Sequence, residues 1–458
     1  MNHRHWLKGL MKRVAAYSIL LPIISVATVG SAQDQNPDAI IDEQVPALVA
    51  TYKQLHAAPE LSHHEEKTAA FVADRLRALG YTVTDHVGKY RNPDWQSYGV
   101  VAVMKNGNGP TVLVRTELDA LPVEEKTGLP YASKVKAKND AGEEVSVMHA
   151  CGHDIHITAL LGTAKTLAEL KDRWHGTLVL IGQPAEEAIS GAQAMMADQM
   201  YERFPKPDYC IALHDSAELE AGKVGYTPGY ALASSTSVDV IIRGVGGHGA
   251  RPDAAKDPIV AAAQFILALQ TIVSREDSPF DPAVVTVGTI HGGTRYNIIP
   301  DEVHLQLTIR TYKEEVRQRI LASIDRLARA TALAAGIPED RAPIIRTNPD
   351  EYTMSTYNDP QLTERLAAVF EKHFGRDNVV KSPPEMASED FGYFGFEDHR
   401  IPICQFSLGA VDPVKYRESK QTGKPLPGLH SPLWAPLPEP TIRTGVKAMT
   451  AAVLELMK

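Results

Sequence analysis

The sequence has little cysteine and no excess of positive charge. Three cysteines among 458 residues exclude a dense disulfide framework. A formal net charge of −9 argues against a nucleic-acid partner, which would require a basic surface. After the first 32 residues, the sequence predicts no apolar run long enough to span a membrane. The apolar content of 44% is typical of a globular protein, and the length favours two domains.

The first 32 residues have the pattern of an export signal. Lys12 and Arg13 precede an apolar stretch over 14–29, and small residues lead to Ala32, after which we expect cleavage. The stretch is shorter than a membrane-spanning helix. We therefore expect a periplasmic or secreted protein with no stable membrane insertion once the signal is removed. Loss of the four cations in this segment would change the net charge from −9 to −13.

The apolar patterns of the remaining chain predict an α/β fold. Up to His214, helical and strand patterns alternate, which favours a mixed, mostly parallel sheet with helices on both faces. After Gly229 the order becomes strand, helix, strand, strand, helix, strand, as in an inserted ferredoxin-like α+β domain. The predicted boundaries are 1–32 for the signal, 33–229 and 348–458 for the two parts of the main domain, and 230–347 for the insertion.

Residues able to bind a metal ion are scattered along the chain, each near the end of an apolar run. They are Cys151, His153, Glu186, Glu187, His214 and His430. Thiolate, imidazole and carboxylate together suit zinc or manganese. Because the adjacent carboxylates of Glu186 and Glu187 point in different directions on an extended backbone, we expect one to bind metal and the other to act as general base. This pattern predicts a metal-dependent hydrolase.

The cysteines fit the same hypothesis. Cys151 is the candidate free thiol, which a bound metal would hold as thiolate. Cys210 and Cys404 lie in apolar runs and are typical of small buried side chains. A bridge between these two cysteines stays open.

Ten short motifs in sequence order resemble the M20 metallopeptidase and aminoacylase family. The resemblance is to its amidohydrolase branch of hippurate hydrolases, N-acyl-amino-acid hydrolases and auxin-conjugate hydrolases. The motifs are at 56–68, 118–125, 148–154, 183–187, 246–252, 257–258, 274–276, 297–301, 389–391 and 429–432. They cover essentially the whole chain after the predicted signal.

The resemblance implies a site with two divalent metal ions, zinc or manganese first, with cobalt or nickel also possible. Cys151 would bridge the ions, with His153 and His214 on one side and Glu187 and His430 on the other. The implied reaction cleaves the amide bond of an N-acyl amino acid by a metal-bridging hydroxide, with Glu186 as general base.

The resemblance further implies a homodimer formed through the inserted domain, which would also serve as a lid. His248 would reach the partner's active site and stabilise the oxyanion. Asn297 and Arg310 would bind the free carboxylate of the substrate, a role that suits a guanidinium group.

One motif departs from the branch, which usually has Arg-Ala-Asp-Met-Asp where this chain has Arg115-Thr-Glu-Leu-Asp119. Asp119 is retained and would orient a histidine ligand. Glu117 is longer than the usual aspartate and receives no ligand role. His63 and His64, in a polar loop, are expected at the surface.

Two other functions are compatible with these motifs. A dipeptidase or carboxypeptidase could use the same site, and an exported binding protein without catalysis could retain the pocket. The complete ligand set together with Glu186 disfavours the binding protein. The small-molecule substrate is therefore expected to be an N-acyl amino acid or a dipeptide.

Overall fold

A mixed eight-stranded sheet, with four adjacent parallel strands at its centre, positions most of the predicted ligands. A computed structural model describes residues 36–396 and 400–458, so the predicted signal lies outside the described residues. The helices are α1 Pro37–His56, α2 Glu66–Ala78, α3 His153–Glu169, α4 Gly191–Ala197, α5 Met200–Arg203, α6 Pro258–Thr271, α7 Glu314–Ala334, α8 Pro360–Phe374, α9 Pro413–Thr422 and α10 Pro438–Leu456.

The large sheet has the order β1-β2-β6-β3-β7-β18-β8-β17. Its strands are β1 Thr82–Val87, β2 Gly99–Asn106, β3 Thr111–Glu117, β6 Gly176–Gln183, β7 Tyr209–Glu220, β8 Val224–Tyr226, β17 Val379–Lys381 and β18 Ile403–Val411. Strands β6, β3, β7 and β18 run parallel to one another. The remaining short strands outside the insertion are β4 Lys136–Lys138, β5 Glu144–Ser146, β9 Gly229–Leu232 and β16 Thr356–Asn358.

Helices cover both faces of this sheet, as predicted. Because side chains alternate along a strand, Val112 and Val114 pack with α1, α3, α8 and α10, whereas Leu113 packs with α4. Helix α10 was not predicted, although Ile442, Val446 and Met449 have helical spacing and are buried.

The register of β7 and β18 bears on whether Cys210 and Cys404 form a bridge. Cys404 on β18 pairs with Ile211 on β7, while Cys210 pairs with Ile403. The two cysteines are therefore offset by one residue, and they belong to the cores on opposite faces of the sheet. Cys151, Cys210 and Cys404 are all free.

The insertion has the predicted ferredoxin-like order. Its antiparallel sheet runs β12-β14-β10-β15, with α6 between β10 and β12 and α7 between β14 and β15. The strands are β10 Ser234–Arg243, β12 Ala283–Gly292, β14 Glu302–Thr311 and β15 Ile344–Thr353, with β11 Gly247–His248 and β13 Ile298–Ile299 forming a separate pair. Strands β9 and β16, which precede and follow the insertion, pair with each other. The predicted domain boundaries near these strands stay predictions.

The expectation that no apolar run after the first 32 residues is long enough to span a membrane was wrong when judged by length and composition. The stretch Pro258–Glu276, which includes α6, has a mean hydropathy of 1.4 over a window long enough to cross a membrane. Its residues Ala261, Phe265 and Leu269 are fully buried in the core of the insertion. The core of the insertion accounts for one face of this helix, since 33% of the window is buried while Ile259, Val260 and Leu267 are exposed.

Candidate active site

The five predicted metal ligands converge around the sulfur of Cys151. Cys151 and His153 flank Gly152, the N-cap residue of α3, and Glu187 lies in the turn after β6. His214 lies within β7, beyond Ala212, the last residue of that strand to pair with β3. His430 lies in the loop between α9 and α10.

The ligand atoms form two groups that share Cys151. The Sγ atom is 3.6 Å from Nε2 of His214 and 3.3 Å from Nε2 of His430. Nε2 of His153 is 3.9 Å from Oε1 of Glu187, and Nε2 of His430 is 3.5 Å from Oε2 of Glu187. Cys151, His153 and His214 form one group with ligand atoms within 4.8 Å of one another, and Cys151, Glu187 and His430 form the second.

The chemistry of this cluster fits bound cations. Nε2 of His153 and Oε1 of Glu187 are buried without a hydrogen-bond partner, a costly arrangement unless something binds them. Burial raises the pKa of Glu187 to about 7, and burial with the nearby carboxylates raises the pKa of the Cys151 thiol well above its usual range. Divalent cations would balance the negative charge of the ionised groups.

Backbone carbonyls orient two of the histidines. Nδ1 of His153 donates to the carbonyl of Asp119 at 2.8 Å, and Nδ1 of His214 donates to the carbonyl of Asp215 at 2.8 Å. Both rings thereby leave Nε2 free to bind a metal. The carboxylate of Asp119 lies 3.4 Å from Nδ1 of His153, and it accepts from the backbone N–H of Glu187 at 2.9 Å and from Ser62 at 2.7 Å. Asp119 thus connects one histidine to the turn that carries the carboxylates.

The turn that carries Glu186 and Glu187 has unusual backbone geometry. Ala185 and Ile189 have φ angles of 46° and 47°, in the left-handed region that non-glycine residues rarely adopt. The carboxylate of Glu65 accepts from the N–H of Ala185 at 2.7 Å and from the N–H of His63 at 2.9 Å. Glu65 appeared in the sequence only as a motif match, and this contact supplies its role in holding the turn.

A second buried network lies beside the cluster, and its pairings have no local signal in the sequence. Arg115 donates to Glu389 at 2.7 Å, to Asp390 at 3.1 Å and to Gln183 at 2.9 Å, and it also contacts Glu117. Residues Glu389 and Asp390 were identified only within a family motif. Their partner Arg115 is 274 positions earlier in the chain.

Glu117, which received no ligand role from the sequence, has close partners and also belongs with His153 and His156 to a group of possible ligand atoms within 4.8 Å of one another, so its lack of a ligand role stays a prediction. Its carboxylate contacts Arg115 and accepts from Nδ1 of His156 at 2.8 Å. The other ring nitrogen of His156 accepts from the backbone N–H of Asp215 at 2.9 Å. This chain of contacts supports the part of β7 that carries His214.

A cavity of about 1360 Å³ contains the metal-binding cluster. Cys151, Glu186, Glu187, His214 and His430 line it. Arg310, from β14 of the insertion, lines the same cavity and contacts Ser388. A half-buried guanidinium group in this position can bind an anionic part of a ligand.

The structure does not bring two predicted residues of the insertion, His248 and Asn297, to this cavity. His248 is exposed on β11, where its Nδ1 accepts from the N–H of Ala250 at 3.0 Å. Asn297 is exposed, and its carbonyl accepts from Gly249 at 2.8 Å. Neither residue lines the cavity that contains Cys151. Their predicted roles stay predictions.

The expectation that both histidines of the loop before α2 lie at the surface was wrong for His63. His64 is exposed, but only 5% of His63 is exposed. The ring of His63 stacks on Trp95 with centroids 3.9 Å apart. A stacking partner 32 positions later in the sequence has no local signal, so the polar loop alone suggested exposure.

Comparisons with known proteins agree with this geometry. The model of peptidase family M20/M25/M40 matches residues 113–420. Hippurate hydrolase of Campylobacter jejuni is 38% identical over 343 residues, covering 74% of this chain and 83% of the relative. N-acetyl-L-cysteine deacetylase of Bacillus subtilis is 38% identical over 352 residues, covering 76% of this chain and 77% of the relative.

Solved structures support the same assignment. A dinuclear metal-binding peptidase of the M20 family from Bacillus subtilis has a TM-score of 0.70 and 25% identity, covering 91% of this chain and all of that one. A protein from methicillin-resistant Staphylococcus aureus, assigned as an aminohydrolase, has a TM-score of 0.78 and 31% identity, covering 93% of this chain and all of that one. The chain therefore belongs to peptidase family M20/M25/M40 and is a metal-dependent hydrolase that acts on amide bonds.

Proposed function

We propose that the protein is an exported amidohydrolase that cleaves the amide bond of N-acyl amino acids, including hippurate-like compounds. The observation that carries this proposal is the position of Glu186, beside two ligand groups that share Cys151, in one cavity with Arg310. The names of the relatives, a hippurate hydrolase and an N-acetyl-L-cysteine deacetylase, support the same substrate class.

The residues present fit two divalent cations. Cys151 would be shared, with His153 and His214 holding one cation and Glu187 and His430 the other. The donor set favours zinc or manganese, with cobalt or nickel as further candidates. When bound, such cations polarise a carbonyl and lower the pKa of water.

Glu186 would act as the proton carrier of the reaction. Its carboxyl is buried, and burial together with the nearby carboxylates of Glu389 and Glu187 raises its pKa well above the usual range of a glutamate. A carboxylate with a raised pKa is a better base, and its acid form can deliver the proton to the leaving amine. Arg310 would hold the free carboxylate of the amino acid, which would place the amide bond between the guanidinium group of Arg310 and the carboxyl group of Glu186.

The variant Glu186→Gln tests this role. We expect it to retain its metal content and to lose at least about a hundredfold in kcat, the scale of general acid-base catalysis. The control is Glu187→Gln, which should lose metal as well as activity. Metal content by elemental analysis and hydrolysis of N-acyl amino acids, before and after chelation, provide the readouts. Wild-type turnover in Glu186→Gln would remove that residue from its role.

A dipeptidase is the second candidate, because acidic residues line the same cavity. Asp140, Glu218, Asp350 and Glu385 are among its lining residues, and they could attract the free ammonium group of a dipeptide. Comparing kcat/KM for hippurate with that for glycyl dipeptides separates the two activities. Faster hydrolysis of the dipeptides would replace the N-acyl amino acids as the proposed substrates.

We also propose a homodimer formed through the insertion, which would bring His248 and Asn297 to the partner's cavity. Large apolar side chains are exposed on this part of the chain, including Leu267 at 72% and Tyr296 at 96%. Exposed apolar surface of this kind favours association. A single-subunit mass in solution would withdraw the role of His248. N-terminal sequencing of protein recovered from the periplasm or culture medium tests export and cleavage after Ala32.

A further inference from the structure

An aromatic wall stands beside the turn that carries Glu186 and Glu187. His63 and Trp95 stack with an interplanar angle of 14°, and Tyr90 lies edge-on to His63 at 4.9 Å and to Trp95 at 5.8 Å. Trp95 and Tyr90 pack with Ala185 and Ala188, which belong to that turn. The wall thus packs against the residues on either side of the two carboxylates.

The His63 ring is fixed in position. Its Nδ1 donates to Asp140 at 2.7 Å, and its Nε2 is 3.1 Å from the hydroxyl of Ser190. Its backbone N–H donates to Glu65, the same carboxylate that holds Ala185. A ring held at both nitrogens, on a backbone that Glu65 also holds, can support the indole of Trp95 in one orientation, since its rotamer freedom has already been lost.

Trp95 is the part of this wall that a ligand can contact most. It is partly exposed, whereas His63 and Tyr90 are buried, and it lines the cavity together with Ala188 and Ile189. An exposed indole edge or face beside apolar neighbours favours stacking with another flat, apolar group. The wall therefore presents a surface for an uncharged group.

Charge determines which end of the substrate this wall can receive. Among the described residues that line the cavity, the lysine and arginine side chains are Arg310 and Lys420, which lie on β14 and α9. Asp140 places negative charge beside His63, which disfavours a carboxylate there. The carboxylate of an N-acyl amino acid is thus directed to Arg310 and Lys420, and its uncharged acyl group to the wall.

We propose that Trp95, supported by His63, forms a subsite for the acyl group and selects flat aromatic acyl groups such as benzoyl over small ones such as acetyl. This assignment rests on the proposed hydrolysis of N-acyl amino acids, and it adds which residues recognise the acyl part. His63 is a positioning residue in this arrangement, because it acts through the indole.

The experiment compares kcat/KM for N-benzoylglycine and N-acetylglycine in the wild type, Trp95→Ala and Trp95→Phe. Glycine is common to both substrates, so the ratio of the two values reports on the acyl group alone. We expect Trp95→Ala to lower the benzoyl-to-acetyl ratio about tenfold, the upper range of an aromatic pair, and Trp95→Phe to lower it less. Phe280→Ala, which removes an aromatic ring that is 91% exposed outside the cavity, should leave the ratio unchanged.

A second substrate pair tests the orientation. The ratio of kcat/KM for N-acetylphenylalanine and N-acetylglycine varies the amino acid with a constant acyl group, and Trp95→Ala should leave it unchanged. A change in this ratio, with none in the first, would place Trp95 on the amino-acid side and overturn the proposal. Metal content and thermal midpoint are measured for each variant, and Trp95→Phe keeps the test decisive if Trp95→Ala fails to fold.

The outcomes separate this proposal from the function on which it rests. Hydrolysis of both glycine substrates with an unchanged ratio in Trp95→Ala and Trp95→Phe overturns the acyl subsite and leaves the amidohydrolase function in place. No hydrolysis of either substrate by the metal-loaded wild type overturns the function, and the subsite assignment with it.

Discussion

Arg115 is the side chain whose loss should cost the most stability near the active site. Its guanidinium group is fully buried and faces Glu117, Glu389 and Asp390, all buried as well. Burial alone would lower the pKa of Arg115, but the charges of these acids outweigh it and raise the pKa. Burial also raises the pKa of Asp390 to about 8. Burial would raise the pKa values of Glu117 and Glu389 as well, but the charge of Arg115 outweighs it and lowers them.

The variant Arg115→Met fills most of the space and removes the charge. Breaking a buried ion pair by removing one partner costs about 3–5 kcal/mol. Because Glu117 and Glu389 both lose the guanidinium group that faces them, we expect the upper end, about 5 kcal/mol. A loss of that size is a large part of the roughly 5–15 kcal/mol that stabilises an ordinary domain.

Urea unfolding at pH 7, with metal content held equal, measures the change. The matched variant Arg115→Met with Glu389→Gln should be less destabilised than Arg115→Met alone, because a neutral amide needs no counter-charge. This non-additivity is the signature of a shared network. If Arg115→Met unfolds at the wild-type urea midpoint, or if adding Glu389→Gln lowers that midpoint further, the pairing of Arg115 with Glu389 is not what stabilises this region.

Three further predictions follow from single contacts. Burial alone would lower the pKa of His56, but hydrogen bonds to Asp154 and Glu125 outweigh it and raise the pKa to about 10. The protonated ring should therefore stabilise the fold fully below about pH 6.5, and this stabilisation should be lost as the pH rises through 10. The thermal midpoint of His56→Gln should not show this loss at alkaline pH. Gly152→Ala should lower the metal content, since Gly152 has a φ of 79° and a Cβ there would lie 2.2 Å from Oδ2 of Asp215. The clash would displace the backbone that joins the ligands Cys151 and His153. A metal content equal to that of the wild type would contradict this prediction. Cys151→Ser should lose most bound metal while Cys210→Ser, which alters a buried thiol on the opposite face of the sheet from Cys404, should not; elemental analysis distinguishes them, and equal loss would remove the special role of Cys151.

The sequence was sufficient for the fold class and for the convergence of the ligands. Alternating helical and strand patterns predicted the sheet with helices on both faces, and the strand-helix order of the insertion predicted its topology. Glu187 and Asp119 follow strands that end at one edge of a parallel sheet, so their meeting follows from the architecture. The identity of the ligand residues came from residue chemistry and motif resemblance together.

Contacts between distant parts of the chain could not be predicted in this way. The stack of His63 on Trp95, and the pairing of Arg115 with Glu389, depend on how loops and edges pack in three dimensions. Strand register was equally inaccessible. A shift of one residue between β7 and β18 decides whether Cys210 and Cys404 share a face of the sheet.

Strained backbone lies at three places near the ligands, and buried acids bond to the backbone of the turn that carries Glu186 and Glu187. Ala185, Ile189 and His430 all have positive φ angles, each an unfavourable conformation for a residue with a side chain. Glu65 bonds to the N–H of Ala185, and Asp119 bonds to the N–H of Glu187. No ligand role is assigned to these two acids, yet each bonds to the backbone of the turn that carries Glu187. The motif acids of this chain therefore divide between those that can bind a cation and those that keep the binding residues in place, and a sequence pattern alone does not separate the two.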